Sequence, residues 1–234
     1  MQAIIMAAGM GSRLGAITNG KPKCFVTING ESLIDRNIRM LKELGIHDII
    51  IVIGNLHEEF EHKFGQDKEI KLVFNPFFDI SNVLVSYWVG SRFLKDDFLY
   101  LHADTICEEG IFRKLINSQA DIVLPVDIKP TDEEAMKVKE KDGRVIEINK
   151  TMDPKEALGE FIGICKCKKT SIDPLFHETQ SLLENKVLKS YFEGAIQGVI
   201  TDGLCHVDYF GVDGMRWSEI DFPEDYERAK KLFA

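Results

Sequence analysis

No apolar run in this chain is long enough to cross a bilayer. The longest purely aliphatic stretch is 49–53, against the ~20 residues that a membrane helix needs. The amino terminus carries no basic segment and enters an apolar strand at once, so no secretory signal is expected. Cysteine is sparse: five residues, an odd number, with no C-x-x-C pair. Cys165 and Cys167 would share a strand face, but a metal site needs more ligands beside them, and reduced core thiols are the better reading. A surplus of positive charge is missing as well. The formal net charge of −9 argues against a nucleic-acid partner, whose backbone demands a basic face, and leaves room for a single nucleotide held by local charge. Repeats, low-complexity tracts and linkers are absent. These absences leave a cytoplasmic protein with neither a membrane nor a nucleic acid as partner.

What is present is concentrated at the start. A short apolar strand, Ala3-Ile4-Ile5-Met6, runs into Ala7-Ala8-Gly9-Met10-Gly11-Ser12-Arg13-Leu14, and Lys21-Pro22-Lys23 follows. A strand that empties into a small glycine-rich turn presents converging backbone N–H groups, which cradle an anion. Arg13 and Lys23 add positive charge to the same place. Three phosphate-binding patterns compete for these letters. The dinucleotide fingerprint G-x-G-x-x-G fits at Gly9 and Gly11 but meets Leu14 at its third position. The second strand, 49–53, ends in Gly54-Asn55 rather than in a ribose-binding acid. A Walker loop fits from Gly15 to Lys21, but Pro22 then stands where a magnesium-binding hydroxyl is required.

The third pattern fits throughout. Gly9-x-Gly11-x-Arg13-Leu14 with Pro22-Lys23 resembles the signature of the sugar-phosphate nucleotidyltransferase family, and within it the phosphocholine and 2-aminoethylphosphonate cytidylyltransferases of the LicC type. The resemblance implies a nucleotide-binding loop of Ala7, Ala8, Gly9, Gly11, Ser12 and Arg13, with Lys23 and Arg13 as catalytic residues. It also implies that Mg2+ is held by Asp104, which follows the strand at 98–102, and by Asp221 in Trp217-Ser218-Glu219-Ile220-Asp221. Two carboxylates suffice for magnesium, which completes its octahedron with water and phosphate oxygens. For Asp221 the competing reading is a helix N-cap before Phe-Pro-Glu. Ala103 is small enough for close nucleotide approach, and His102 before it reads equally as a ligand contact or as packing.

In the segment Phe74 to Trp88, Asn82 and Ser86 resemble an asparagine-then-serine pattern of the cytidylyltransferase branch. They lie one helical turn apart and could face base and ribose; a helix N-cap at Ser81 or Asn82 is the rival. For the acceptor, Glu133 to Lys137 with Gly143-Arg144 and Lys150 resembles a D-E-x-M-K … G-R … K pattern. Gly159-Glu160-Phe161-Ile162-Gly163-Ile164 resembles a G-E-x-I-G-I strand, and Tyr191-Phe192-Glu193 falls where such enzymes set aromatics beside an acid. The resemblance thus implies acceptor contacts from Lys150, Glu160, Tyr191 and Glu193. An aromatic–acid cluster suits a cationic head group, while the plain alternative for Tyr191-Phe192 is the buried side of a helix.

Apolar runs alternate with helical patterns through the first half, which is the signature of a parallel sheet covered on both faces. Strands are expected at 49–53, 70–74, 98–102, 121–125, 135–140, 144–149, 159–166 and 204–209. Helices are expected from the Ser32–Asp35 capping box to Gly45, and at 56–63, 82–93, 109–117, 170–184, 190–200 and 223–232. Lys141-Asp142-Gly143-Arg144 reads as a hairpin turn. The fold class is α/β: a Rossmann-like, mostly parallel sheet flanked by helices, of the nucleotide-diphospho-sugar transferase type. The expected organisation is a single nucleotidyltransferase domain over 1–234, with a small antiparallel, acceptor-binding insertion around 131–167. Hexapeptide repeats are missing from these residues, so no trimerising β-helix is expected here; a homodimer stays open. The expected activity is Mg-dependent transfer of a cytidylyl group from CTP to a small phosphate or phosphonate, phosphocholine or 2-aminoethylphosphonate, with loss of pyrophosphate. The rivals are a sugar-1-phosphate or inositol-phosphate nucleotidylyltransferase and a non-catalytic nucleotide-binding regulatory subunit.

Overall fold

A computed structural model describes residues 1–234. The strands are β1 (Gln2–Ala7), β2 (Thr27–Ile28), β3 (Glu31–Ser32), β4 (Asp48–Ile53), β5 (Ile70–Phe74), β6 (Phe98–His102), β7 (Thr105–Cys107), β8 (Ile122–Asp127), β9 (Lys137–Lys141), β10 (Arg144–Asn149), β11 (Gly159–Phe161), β12 (Ile164–Cys167), β13 (Val207–Gly211) and β14 (Trp217–Glu219). The helices are α1 (Leu33–Glu43), α2 (His57–Phe64), α3 (Val83–Ser91), α4 (Glu109–Asn117), α5 (Ile172–Glu184), α6 (Phe192–Thr201) and α7 (Pro223–Leu232). No helix is long and apolar enough to cross a membrane.

Ten strands form one sheet in the order β11-β9-β10-β13-β8-β12-β6-β1-β4-β5. Strand β1 lies parallel between β4 and β6, and all six of its residues are buried. Alternate side chains go to opposite layers: Ala3, Ile5, Ile49 and Ile51 enter one core, and Ile4, Met6, Ile50 and Val52 the other. Each isoleucine removed from water in this way contributes on the order of 2 kcal/mol. This two-sided burial explains why these strands read as unbroken apolar runs.

The α/β class holds, while the sheet as a whole is mixed rather than mostly parallel. Strand β12 runs antiparallel to both β6 and β8, in the middle of the sheet. The antiparallel strands of the expected insertion continue the main sheet instead of standing apart from it. The expected strand over 159–166 is broken in two. Residues 159–161 pair with β9 and the far end of β8, and 164–167 cross to β6. The break falls at Gly163, whose φ of +78° lies in the left-handed region, where a side chain would be strained.

Helix α1 starts as expected: the Ser32 hydroxyl accepts from the Asp35 N–H at 3.2 Å and donates to the Asp35 carboxylate at 2.6 Å. Two small ribbons had no periodic signal in the sequence, because each strand is only two or three residues long. One pairs β2 with β3; the other pairs β14 with β7. The second ribbon matters for the site, since it carries the segment leading to Asp221 back alongside Asp104.

Candidate active site

The residues expected to bind nucleotide, metal and acceptor all line a single cleft of about 470 Å³ at the carboxyl ends of the parallel strands, whereas Glu133, Lys137, Gly143 and Arg144 of the acceptor motif do not. Open α/β sheets place ligands there because the strand-to-helix loops converge at that edge.

The floor is the loop after β1. Gly11 takes φ +61° and opens a 3-10 turn over Ser12–Thr18. A Cβ on Gly11 would lie 2.7 Å from the Cβ of Lys23, so the close approach of Lys23 to this loop depends on glycine. Lys23 follows Pro22 and starts its own short 3-10 turn. The Walker reading of 15–21 thus has no helix after it.

The two aspartates meet at Lys23. The Lys23 ammonium donates to Asp104 Oδ2 at 2.6 Å and also contacts Asp221 Oδ1. Asp104 follows β6, and the Ile220 N–H donates to the Asp104 carbonyl at 3.1 Å, locking the two segments together. Arg13 reaches Asp221 Oδ2 at 3.0 Å and lies over the Phe222 ring. The competing N-cap reading of Asp221 does not hold: Phe222 is the N-cap of α7, and Asp225 accepts from the N–H groups of Asp221 and Phe222. The Asp221 carboxylate is thereby left to face the cations.

Burial works against the charge on Lys23, but the two carboxylates outweigh it and hold the amine above its ordinary range. Burial likewise works against ionised Asp104, and the Lys23 and His102 charges outweigh it, so this carboxyl is held low. Asp104 Oδ1 is buried without a hydrogen-bond partner. Two carboxylates that converge on one ammonium, with a spare oxygen beside it, fit a hard divalent cation.

His102, a candidate for ligand contact or packing, sits in a network of acids. Its Nε2 lies 3.0 Å from the Tyr100 hydroxyl and its Nδ1 3.4 Å from Glu219 Oε1. Burial lowers the His102 pKa, while the Glu219 hydrogen bond and the Glu193 and Asp104 charges raise it, to about 9. One donor atom each from His102, Asp104 and Glu219 falls within 4.8 Å of the others. Glu219 was missed as a site residue: it ends β14, two positions before Asp221, in a strand too short to carry a periodic signal.

On the opposite wall, Asn82 is the N-cap of α3. Its side chain accepts from the Val83 N–H at 2.9 Å and reaches toward the Lys189 carbonyl at 3.4 Å. The N-cap rival is therefore observed, and Asn82 still borders the cleft. Ser86 accepts from the buried Asn75 amide at 3.0 Å. Asn75 also lines the cleft and was not anticipated, although it ends β5 at the same edge as the other loops.

At the far end, the Lys150 ammonium stands 5.0 Å from the centre of the Tyr191 ring. Glu193 is only 2 % exposed, and its Oε2 has no partner. Burial pushes its carboxyl upward, partly offset by His102. Glu160 is not free: Lys129 holds it at 3.0 Å and also holds Asp127 at 2.8 Å. Glu134, in the loop before β9 and within the Glu133 to Lys137 motif, lines the cleft too.

Residues 3–141 match the model of the MobA-like NTP transferase domain. The chain is 26% identical over 250 residues to the CTP:phosphoglutamine cytidylyltransferase of Campylobacter jejuni, covering 97% of this chain and 98% of that protein. It is 38% identical over 116 residues to the choline-phosphate cytidylyltransferase of Streptococcus pneumoniae, covering 48% of each. It spans about half (51%) of the bifunctional IPC transferase and DIPP synthase of Aquifex aeolicus, at 26% identity. Among solved structures it is similar to the CTP:phosphocholine cytidylyltransferase LicC of Streptococcus pneumoniae. The TM-score is 0.81 at 25% identity, over 100% of this chain and 99% of that one.

Proposed function

Because this chain belongs to the MobA-like NTP transferase family, we propose that it is a magnesium-dependent cytidylyltransferase that joins CTP to a small phosphate or phosphonate monoester and releases pyrophosphate. The observation that carries this reading is the convergence of Lys23 on Asp104 and Asp221 beside the glycine loop. Cytidylyl transfer to a phosphorylated acceptor is what the similar proteins are named for. We take residues 1–234 as one nucleotidyltransferase domain, with the acceptor at the 131–167 end of the cleft.

The acceptor's phosphoryl oxygen is already anionic near neutrality, so its attack on the α-phosphorus requires no general base. The obstacle is repulsion between two anions. Lys23, anchored between two carboxylates, sits where an α-phosphate and an incoming phosphate would meet, and neutralises the charge that grows in the transition state. Arg13, more exposed and tethered by Asp221 and the Phe222 ring, would grip the departing pyrophosphate. Backbone N–H groups of the Gly9–Ser12 loop orient the triphosphate. Asp104 and Asp221 would hold magnesium, which supplies charge neutralisation on the phosphate oxygens.

At the acceptor end, Lys150 serves the phosphate, and Tyr191 with Glu193 serves a nitrogen-bearing head group such as that of phosphocholine or 2-aminoethylphosphonate. A buried carboxylate oxygen without a partner supports this choice, because such an atom is costly until a donor or cation reaches it. The test is pyrophosphate release with magnesium, crossing the four NTPs with phosphocholine, 2-aminoethylphosphonate, inositol phosphate and sugar 1-phosphates. Turnover with CTP and an amine-bearing acceptor is expected. Turnover only with sugar or inositol phosphates overturns the acceptor assignment. No pyrophosphate from any pair overturns the enzyme and leaves the nucleotide-binding regulatory subunit.

A further inference from the structure

Lys137 opens β9 opposite Glu160 of β11 and is 1 % exposed, yet its ammonium makes no ion pair. Its ammonium donates to three backbone carbonyls: Lys150 at 2.8 Å, Glu133 at 3.1 Å and Ala135 at 3.3 Å. Three protons meet three acceptors, so the charge is fully hydrogen-bonded. Burying an ammonium without a counter-ion is expensive compared with an apolar side chain of the same length. A methionine would fill the stem's space at no such cost. The charge at this position therefore answers a need of the carbonyls.

Those carbonyls lie just beyond the last rung of the β9–β10 ladder, which pairs Lys137 with Asn149. Residues 131–136 have neither helix nor strand, and Lys150 lies just past the end of β10. The loop is knitted from two sides. The Asp132 carboxylate accepts from the N–H groups of Glu134 and Ala135, both at 3.0 Å, and Lys137 donates to the carbonyls of Glu133 and Ala135. The third bond of Lys137 ties this loop to Lys150. Glu134 and Lys150 both line the cleft, while Lys137 itself does not.

We infer that Lys137 is a positioning residue for the acceptor: its buried ammonium fixes Lys150 and Glu134 relative to one another without touching substrate. The inference rests on the assignment of Lys150 to the acceptor phosphate. Loss of the ammonium frees the Lys150 backbone and lets its side chain leave the Tyr191 ring. The nucleotide loop and Lys23, on other elements, stay in place.

The test uses the full chain with Lys137→Met, and with Lys137→Gln as a variant that keeps two donors should the first fail to fold. Steady-state kinetics are read with CTP and either 2-aminoethylphosphonate or phosphocholine, and competitive acylation of lysines is read by mass spectrometry. The expected result is a rise in acceptor KM of about tenfold or more, with CTP KM and kcat within about threefold of the parent. Lys150 should be acylated at least about threefold faster relative to exposed Lys155, as expected when local order is lost. Unchanged acceptor KM and Lys150 labelling in a folded variant overturn the inference. So does a parallel rise of both KM values together with a lower Tm, which marks a merely structural lysine. If Lys150→Ala leaves acceptor KM unmoved, the assignment of Lys150 fails instead. In that case, or if neither acceptor is turned over, the labelling alone decides whether Lys137 orders Lys150.

Discussion

Gly11 and Lys23 are packed so closely that a single methyl group would not fit between them: a Cβ on Gly11 would fall 2.7 Å from that of Lys23. Gly11 also holds φ +61°, so alanine there is strained by its backbone as well as by the contact, together about 1–3 kcal/mol. Gly11→Ala should lower turnover at least about tenfold by displacing the lysine, since a 1 Å error in a catalytic group costs heavily. The protein should stay folded. Circular dichroism and pyrophosphate release check this, and unchanged turnover would remove the proposed part played by Lys23 in charge neutralisation.

Lys23 is itself the neutraliser of Asp104 and Asp221. Lys23→Ala should cut turnover by about 10²–10⁴-fold. It also leaves two carboxylates facing each other, so the free protein loses stability, by about 2–4 °C in Tm for each kcal/mol at this size. Magnesium should then raise the Tm of the variant more than that of the parent, because binding to the folded state alone stabilises it. Equal magnesium shifts in both proteins would argue against these two aspartates as the metal seat.

The legible parts of this chain were those with period or punctuation. The buried residues of β1 and β4, six and five of them, announced themselves as apolar runs, and Ser32 announced the start of α1. The glycine loop and Lys23 were marked by their spacing, Asp104 and Asp221 by the family resemblance, and the structure gathers them in one cleft. What stayed hidden depended on long-range pairing. The antiparallel β12 inside the sheet is set by strands far apart in sequence, and its four residues look the same whichever way they run. The β7–β14 ribbon is too short to show alternation. Asn75 enters the site through loop geometry, and Lys137 looked like one more charge in a motif, because nothing in the letters shows that its partners are carbonyls.

Glu193 should reveal a conflict between stability and function. Burial raises its carboxyl pKa, so the fold favours the protonated form. For an acid the sign is then unfavourable on the alkaline side: stability is lost as pH rises from the unfolded value through the raised folded one. Glu193→Gln removes that penalty and should increase Tm at pH 7–8. The advantage should shrink as the pH falls toward the ordinary glutamate range, about 4.3. If Glu193 meets the acceptor's head group, the same variant should raise acceptor KM while leaving CTP KM alone. Thermal denaturation across pH checks the first half, and a Tm gain that does not depend on pH would refute it.

Gly163 breaks the strand between β11 and β12 at φ +78°. A Cβ there would lie 2.6 Å from His102 Nδ1 and 3.2 Å from Thr105 Oγ1. Neither neighbour can yield easily: Thr105 is fully buried, and His102 is fixed between Tyr100 and Glu219. Gly163→Ala therefore combines backbone strain with a clash against the imidazole, about 2–4 kcal/mol together. The ring should be driven off Glu219. The titration of His102, followed by the NMR shifts of its ring protons, should then drop from about 9 toward the ordinary histidine value of about 6.5. A His102 pKa that stays high in a folded Gly163→Ala protein would show that Glu193 and Asp104, rather than the Glu219 hydrogen bond, sustain it.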